Sequence, residues 1–581
     1  MRRWPVFVLA FLIMSTLAQD RLPLWFESWR VESAPTDTEA REAAVAAASV
    51  LFGLAGDVPA LPTGQTARFV ILTVREGDER PRSYAASGIG LADAINQALS
   101  AIPPGTEPTR ARLDIVIAVV RERLVAPEFT VHHTADAWGL AFLSPELGIV
   151  TAAELTANSL ISSSGSLNRE AWLRFAALRG DDADALSTAF TRSPLDVYRF
   201  QTVGFDLSAE GALPNVPNRL FPLDLTPESL MEAAHAGGEY LKRAVDGQGR
   251  FVYSYDPGMD TAAADYNILR HAGTAYSMLE LYRRTGDTGL LVAAERALAF
   301  LDRQIEPCAA PVSVEAAGCL LETGEVKLGG AGLALLAFSE HADITGDPRY
   351  LETMRGLGGW IAGAQYPDGR FVHKVEDGQI DDFESLYYPG EAIFGLMRLY
   401  ALDPDPRWLE AARAGADYII LIRDIDTPSS DLEHDHWFLY ALDALHRVDP
   451  QAHDLVHLRR LVLEILSAQH LDSVPDTWLG GYYNPPRSTP TATRSEGLCA
   501  AARLLRDLGD TRSAETVFEA VLWGISFQLQ TQITEADTLF MANPSRAIGG
   551  FRESLLSGEV RIDFVQHNIS ALLCARDGLT P

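Results

Sequence analysis

Basic residues are scarce in this chain. Lys and Arg total 48 against 78 Asp and Glu, a formal net charge of −30. Nucleic acid is therefore excluded as a general partner, because phosphate binding needs a basic surface. Cysteine is scarcer still: there are four, and their spacings match no zinc pattern. Cys308 and Cys319 share a short loop, "EPCAAPVSVEAAGCL", where a disulfide is expected in an exported protein. Cys499 and Cys574 lie on apolar helical stretches and are expected as small buried core residues. Long apolar runs are missing beyond the first residues. That first run, Trp4 to Met14, is short of the roughly 20 residues a bilayer span needs.

In "MRRWPVFVLAFLIMSTLAQD", Arg2 and Arg3 precede the apolar core, and Thr16 and Ala18 stand at −3 and −1 of a cut before Gln19. This layout predicts a signal peptide over 1–18, with an uncleaved anchor as the alternative, and a periplasmic or secreted mature protein. At 581 residues, with 47% hydrophobic and 22% charged, the chain is globular and too long for one core.

The part over 37–210 mixes strands and helices. "RFVILTVRE" and "RLDIVIAVV" read as strands; "GLADAINQALSAI" and "NREAWLRFAALRG" read as helices. "GALPNVPNRLFPLDLTPES" reads as a linker. From 226 to 581 the pattern is helical and repeats. Six segments begin at a polar mouth and run into an Ala/Leu stripe: "YNILRHAGTAYSMLELYRRTGD", "KLGGAGLALLAFSEHADITGD", "YYPGEAIFGLMRLYALDPD", "DHWFLYALDALHRVDP", "ATRSEGLCAAARLLRDLGD" and "RIDFVQHNISALLCARD". Five are followed by a second amphipathic helix. The sixth partner, "TPESLMEAAHAGGEYLKRAV", stands at the start of the region, so the first helix is expected beside the last. Open helical arrays repeat every 33–47 residues or so. Here Gly273 to Gly330 is 57 residues and Gly330 to Gly390 is 60, which favours a closed ring of helical hairpins. The fold class expected is an N-terminal α+β domain followed by an all-α (α/α)6 toroid.

Two resemblances follow. "EAAVAAASVLF", "ARFVILTVREGDERPRS", "WGLAFLSPELGIVTAAEL", "LNREAWLRFAAL" and "DVYRFQTVGFD" resemble in order the elements of the AMMECR-type domain, an α+β fold. The Arg-Gly-Cys-Ile-Gly run of that family is replaced here by "PRSYAASGIG". The resemblance implies a packing or docking domain. The helical region, with its "DGQGRFVYSYD" and "YPDGRFVHKVEDGQ" turns, resembles the six-hairpin glycosidase-like superfamily, including unsaturated glucuronyl hydrolases and the toroid of glucuronyl 5-epimerases. It implies a carbohydrate-active protein and assigns no catalytic residue.

In a closed ring the starts of the inner helices converge on one cavity, and these starts are polar. In "RIDFVQHNIS", Asp563, Gln566, His567 and Ser570 share one helical face. Candidate catalytic residues are Asp563, His567, Glu391, Glu433, Glu496, Tyr388 and His271. Candidate substrate-binding residues are Arg270, Lys327, Tyr387, Trp437, Trp478, Tyr482, Tyr483, Arg494, Arg552 and Arg561. The aromatics offer flat faces to sugar rings. The cations, gathered in an otherwise acidic chain, point to an anionic oligo- or polysaccharide. Paired carboxylates would hydrolyse a glycosidic bond. Tyr or His would move a proton beside a carboxylate neutralised by Arg or Lys, giving elimination or epimerisation. A metal held by His434, Asp435 and His436 is disfavoured, because residues two apart on a helix point apart. No metal and no cofactor is expected. The rival reading is a non-catalytic glycan-binding or assembly protein of an envelope polysaccharide system, docking a protein partner through its N-terminal domain.

Overall fold

The computed structural model describes residues 34–580 apart from 57, 59–66, 127–128, 132–137, 143–147, 181–182 and 216–224. The signal-peptide expectation lies outside the described residues. Two units result, Met1–Pro217 and Asn218–Pro581.

In the first unit, α1 (Asp37–Leu51) begins with a reciprocal cap between Thr36 and Glu39. It packs through Ala40, Ala43, Ala44, Ala47 and Ala48, whose small side chains let helix and sheet approach closely. Next come β1 (Ala67–Arg75), β2 (Arg82–Ile89), α2 (Leu91–Ser100), β3 (Arg110–Leu124), β4 (Trp138–Phe142) and β5 (Ile149–Val150). Then follow α3 (Ala152–Ala157), α4 (Arg169–Arg179), α5 (Ala183–Ala189), β6 (Leu195–Ser208) and β7 (Gly211–Asn215). The strands form one antiparallel sheet in the order β2-β1-β3-β6-β4-β5, with β7 also on β6. Both faces of β1 are buried. Val70, Leu72 and Val74 face α1 and α2, and Phe69 and Ile71 join a second apolar cluster with Phe200. A strand covered on both sides reads as a continuous apolar run, as "FVILTV" does. The linker expectation needs correction at its start: Gly211–Asn215 is a strand, paired residue for residue with Gly204–Ser208.

In the second unit the helices run in chain order as α6 (Pro227–Ala244), α7 (Ile268–Thr285), α8 (Thr288–Asp302), α9 (Leu328–Thr345), α10 (Leu351–Gly363), α11 (Tyr388–Leu402) and α12 (Pro406–Tyr418). They continue as α13 (His436–Val448), α14 (Ala452–Ser467), α15 (Ser488–Asp507), α16 (Thr511–Gln530), the short α17 (Pro544–Ala547) and α18 (Ile562–Leu579). Helix α7 packs on α9, α9 on α11, α11 on α13, α13 on α15, α15 on α18, and α18 back on α7. That is a closed inner ring of six. Helices α8, α10, α12, α14 and α16 each pack outside the inner helix that precedes them in sequence, and α6 packs outside α18. The architecture is an (α/α)6 toroid.

The Gly-Asp and Asp-Pro stops have a physical reading. Gly286 ends α7 in the left-handed conformation, and Asp287 then caps α8 by accepting from Gly289 N and Leu290 N. Asp405 before α12 and Asp510 before α16 cap in the same way. Each stop therefore ends one helix and starts the next. The "GRF" turns are glycine-dependent. Gly249 and Gly369 hold φ of +84° and +92°, and a Cβ at either would strike the carbonyl of Arg296 or Ala414 on an outer helix. Both inner and outer rings are thus fixed by local chemistry.

Cys308 and Cys319 are bonded across a rim hairpin, β8 (Ile305–Ala309) with β9 (Ala316–Glu322). Cys499 and Cys574 are bonded too, which corrects the expectation of separate core thiols. The reason is the ring itself. Helices α15 and α18 lie side by side and bring the two Cα atoms to 6.3 Å, within the span a disulfide requires.

Candidate active site

All six inner helices contribute to a cavity of about 260 Å³ at one mouth of the ring. Asn267 and Arg270 come from the start of α7, Leu333 from α9, and Glu391 from α11 with Tyr387 and Tyr388. His436 and Trp437 open α13, Arg494 lies on α15 beside Thr493, and Asp563, Gln566 and His567 lie on α18. Two of these helix starts, those of α7 and α13, are capped by side chains. Asn267 Oδ1 accepts from Arg270 N at 3.0 Å, and Asp435 Oδ1 accepts from Phe438 N at 3.0 Å.

A histidine–carboxylate dyad borders this space. His567 Nδ1 stands 2.9 Å from Glu496 Oε1, and the Tyr440 hydroxyl donates to Glu496 Oε2 at 3.4 Å. Glu496 is 1% exposed. Burial pushes its carboxyl up to about 7, against the lowering effect of His567. With Glu496 ionised, His567 donates from Nδ1 and keeps a basic Nε2, the arrangement of an oriented general base. Across from it lies His436, with ring centroids 5.4 Å apart. His436 is 2% exposed, and neither ring nitrogen has a hydrogen-bond partner. Burial, then the nearby His567 and Arg494, holds it well below the usual imidazole range, so it is neutral.

Two carboxyl groups in the cavity have opposite surroundings. Asp563 accepts from Arg561 Nε at 2.6 Å and Nη2 at 2.9 Å, and pairs with Arg270 Nε at 3.2 Å. Burial alone would raise it, but the two guanidinium groups prevail and hold it below the ordinary value. Glu391 has no such partner. Burial, reinforced by Asp435, pushes it well above the ordinary range.

Arg494 is a buried guanidinium, 6% exposed, with no carboxylate in ion-pair range among the described residues. It donates from Nε to His434 Nδ1 at 2.6 Å, from Nη1 to Pro490 O at 2.8 Å and from Nη2 to the Tyr483 hydroxyl at 3.4 Å. Its flat face lies between Tyr482 and Tyr483, 5.0 and 5.1 Å from their centroids. Burial and the Arg494 charge hold His434 down to about 4, so this partner is neutral as well. Three of the five guanidinium N–H groups are used, and two are left for a ligand.

Of the sequence candidates, the cavity gathers Asp563, His567, Glu391, Tyr388, Arg270, Tyr387, Trp437, Tyr483 and Arg494. Glu496 and Tyr482 stand directly behind it, one against His567 and the other under Arg494. The others are engaged elsewhere. His271 is sealed in the core, bonded to the Tyr266 hydroxyl and Ala297 O. Lys327 pairs with Glu322 and Glu325. Arg552 is held by the carbonyls of Gln530 and Thr531. Arg561 is spent on Asp563, Glu433 is exposed, and Trp478 lies beside His470. His436 stands in sequence at one of the polar helix starts and as a disfavoured metal ligand, without a catalytic or binding role. Its place at a capped helix start was the signal that it faces the cavity.

His436, Glu496 and His567 each offer a ligand atom within 4.8 Å of the other two, a set that could hold a divalent ion. Such an ion would have to break the His567–Glu496 hydrogen bond.

No protein-family model and no curated protein matches this chain. Among solved structures it is similar to an inactive α-1,6-mannanase variant of Salegentibacter sp. HEL1_6 in complex with α-1,6-mannotetrose, at TM-score 0.44 and 14% identity, covering 60% of this chain and 98% of that one. A heparin-specific unsaturated glucuronyl hydrolase gives 0.43 and 12%, covering 60% and 97%. Cellobiose 2-epimerase from Bacillus thermoamylovorans B4167 gives 0.46 and 11%, covering 60% and 100%. At these scores the likenesses decide neither fold nor activity; the ring stands on its own helix contacts.

Proposed function

We propose that the C-terminal unit is an exported carbohydrate-active enzyme of the six-hairpin glycosidase-like kind. It removes the proton beside the carboxylate of a uronate-containing glycan and eliminates the neighbouring glycosidic oxygen. The observation that carries this reading is the oriented His567–Glu496 dyad facing a neutral, unpartnered His436. Nitrogen atoms of the two histidines stand within 4.8 Å of each other. We read the pair, with ring centroids 5.4 Å apart, as working on adjacent atoms from one face. His567 takes the proton through Nε2, and the C–H electron pair moves into the carboxyl group as an enediolate. That pair then forms the new C=C bond as the C–O bond to the leaving sugar breaks. His567 then returns this proton from Nε2 to the departing oxygen on the same face, with the His436 N–H as that oxygen's hydrogen-bond donor. Arg494, with two free N–H groups, neutralises the substrate carboxylate. Trp437 and the tyrosines supply apolar faces for sugar rings.

Hydrolysis is the second reading. Raised Glu391 and lowered Asp563 have the opposed environments of an acid and a base in glycoside cleavage. Export is favoured by both cysteine pairs being bonded. We take the N-terminal unit, as a divergent AMMECR-like domain, to be a docking module for an envelope protein partner rather than a catalytic one.

The test is incubation of the chain in D₂O with a panel of uronate-containing oligosaccharides, read by product mass. Elimination gives an unsaturated product without added water. Products one water heavier would replace this reading with hydrolysis. Deuterium uptake without chain shortening would mean epimerisation. Tight binding without turnover would favour the glycan-binding alternative.

A further inference from the structure

Glu391 differs from Asp563 and Glu496, the carboxyl groups with charged or hydrogen-bonding partners at the cavity. Asp563 has two guanidinium partners, and Glu496 has His567 and Tyr440. Glu391 lines the cavity at 3% exposure, and no Lys, Arg or His of the described residues pairs with it. Its Oε2 is buried without a hydrogen-bond partner. The neighbouring helix makes room for this carboxyl group: a Cβ at Gly329 on α9 would collide with Oε2. The nearest charged group acting on it is a second carboxyl, Asp435.

We propose that Glu391 is a further catalytic residue, donating a hydrogen bond from its carboxyl O–H to the substrate carboxylate oxygen that gains charge as the α-proton leaves. This rests on the proton-abstraction reading above. Proton abstraction beside a carboxylate puts a second negative charge on that group. Arg494 compensates one charge; the developing one needs a donor that carries no anionic repulsion of its own. An ionised Glu391 would oppose the enediolate. A protonated one supplies a donor from a buried side chain on the cavity wall, where such a bond is stronger than in water. Nothing is oxidised or reduced. The Glu391 proton stays on Glu391 and is only shared, so Glu391 is neither the base nor the acid that protonates the leaving oxygen. Its buried surroundings hold the acid form well above the ordinary carboxylate range.

The experiment has two arms. In the first, turnover and deuterium exchange on uronate oligosaccharides are compared for wild type, Glu391→Gln and Glu391→Ala. Gln keeps a neutral donor at the same place, so activity should stay within about tenfold of wild type. Ala removes the donor and should cost about 10²–10³-fold. Glu391→Gln as inactive as Glu391→Ala overturns the proposal, because Glu391 would then be giving up or accepting a proton. In the second arm, the infrared difference spectrum of wild type minus Glu391→Gln is recorded at neutral pH, with and without methyl β-D-glucuronide. The stretch of a protonated carboxyl group is expected, shifting to lower frequency when the glucuronide binds. A carboxylate stretch, or an acid band that the glucuronide does not move, overturns the role of Glu391 and leaves the proposed reaction standing. An acid band in a wild-type chain that turns over no uronate glycan overturns the proposed reaction instead, and the catalytic role with it.

Discussion

Replacing Asp563 by Asn tests whether the cationic wall of the cavity is structural. The wild-type carboxylate is 4% exposed and receives two charge-assisted hydrogen bonds from Arg561. Asn can accept only one and carries no charge. Arg561 and Arg270 would then face each other without a counter-ion. Breaking a buried pair by removing one partner costs about 3–5 kcal/mol, because the other charge stays desolvated. Arg270, a third exposed on its side chain, is screened and adds little, so most of the loss comes from Arg561. The C-terminal unit spans Asn218–Pro581. Unfolding entropy of about 2.1 cal/mol/K per residue then converts this loss to a fall in Tm of about 4–7 °C. Differential scanning calorimetry of the full chain reads it directly. A pH series adds a sign. The Asp563 carboxyl is lowered in the folded state, so its contribution is present above the ordinary carboxylate range. It is lost as pH falls through the folded value. The gap between wild type and Asp563→Asn should therefore close on acidification. A loss under about 1 kcal/mol at neutral pH, or a gap that widens in acid, refutes the reasoning.

The disulfides should differ in worth. The Cys499–Cys574 bond closes a separation of 75 residues and Cys308–Cys319 one of 11. Paired Ser replacements should cost about 4–5 and about 3 kcal/mol respectively in denaturant melts, and equal losses would count against the chain-entropy account. His567→Gln should lower proton exchange by about 10²–10⁴-fold with Tm nearly unchanged. Full exchange activity in that variant would remove His567 as the base. His436→Phe should likewise lose activity while matching or exceeding wild-type Tm, since both nitrogens it replaces are buried and unsatisfied. The Glu496 carboxyl titrates at about 7 when folded, above its unfolded value, so folding binds protons between the two. Wild-type stability should thus fall as pH rises across that window, and Glu496→Gln should lack the slope in parallel urea titrations.

Much of this architecture was readable from residue types. The Gly-Asp and Asp-Pro stops are helix caps with local chemistry, so they mark helix ends wherever the chain goes. The hairpin count placed α6 beside α18, and the polar starts placed Asp563, His567 and Glu391 at one mouth. Sequence could not rank the arginines, because rank depends on who is already paired. Arg561, a substrate-binding candidate in sequence, is committed to Asp563 two residues away. Arg494 looked ordinary and, among the described residues, is the cavity-lining guanidinium with no carboxylate in ion-pair range. His271 shares the helical position of a cavity residue, yet it faces Phe251 and Phe300 in the core. Rotation of a helix about its own axis decides such cases, and only neighbouring elements fix it. The Cys499–Cys574 bond was missed for the same reason: it joins two helices whose adjacency is a property of the ring.

Helix α18 is a clasp as well as a wall. Until it docks between α15 and α7, the ring is an open arc whose two ends are far apart along the chain, and closure carries a loop-entropy cost that no local turn can share. The same helix delivers His567 to Glu496 and Asp563 to Arg270. A chain stalled before closure therefore has neither its His567–Glu496 dyad nor its charge-balanced wall. It can be rich in native helix and still lack the proposed site. On the proposed reading, activity would report topological completion, and Cys574, on the clasp, records that completion covalently.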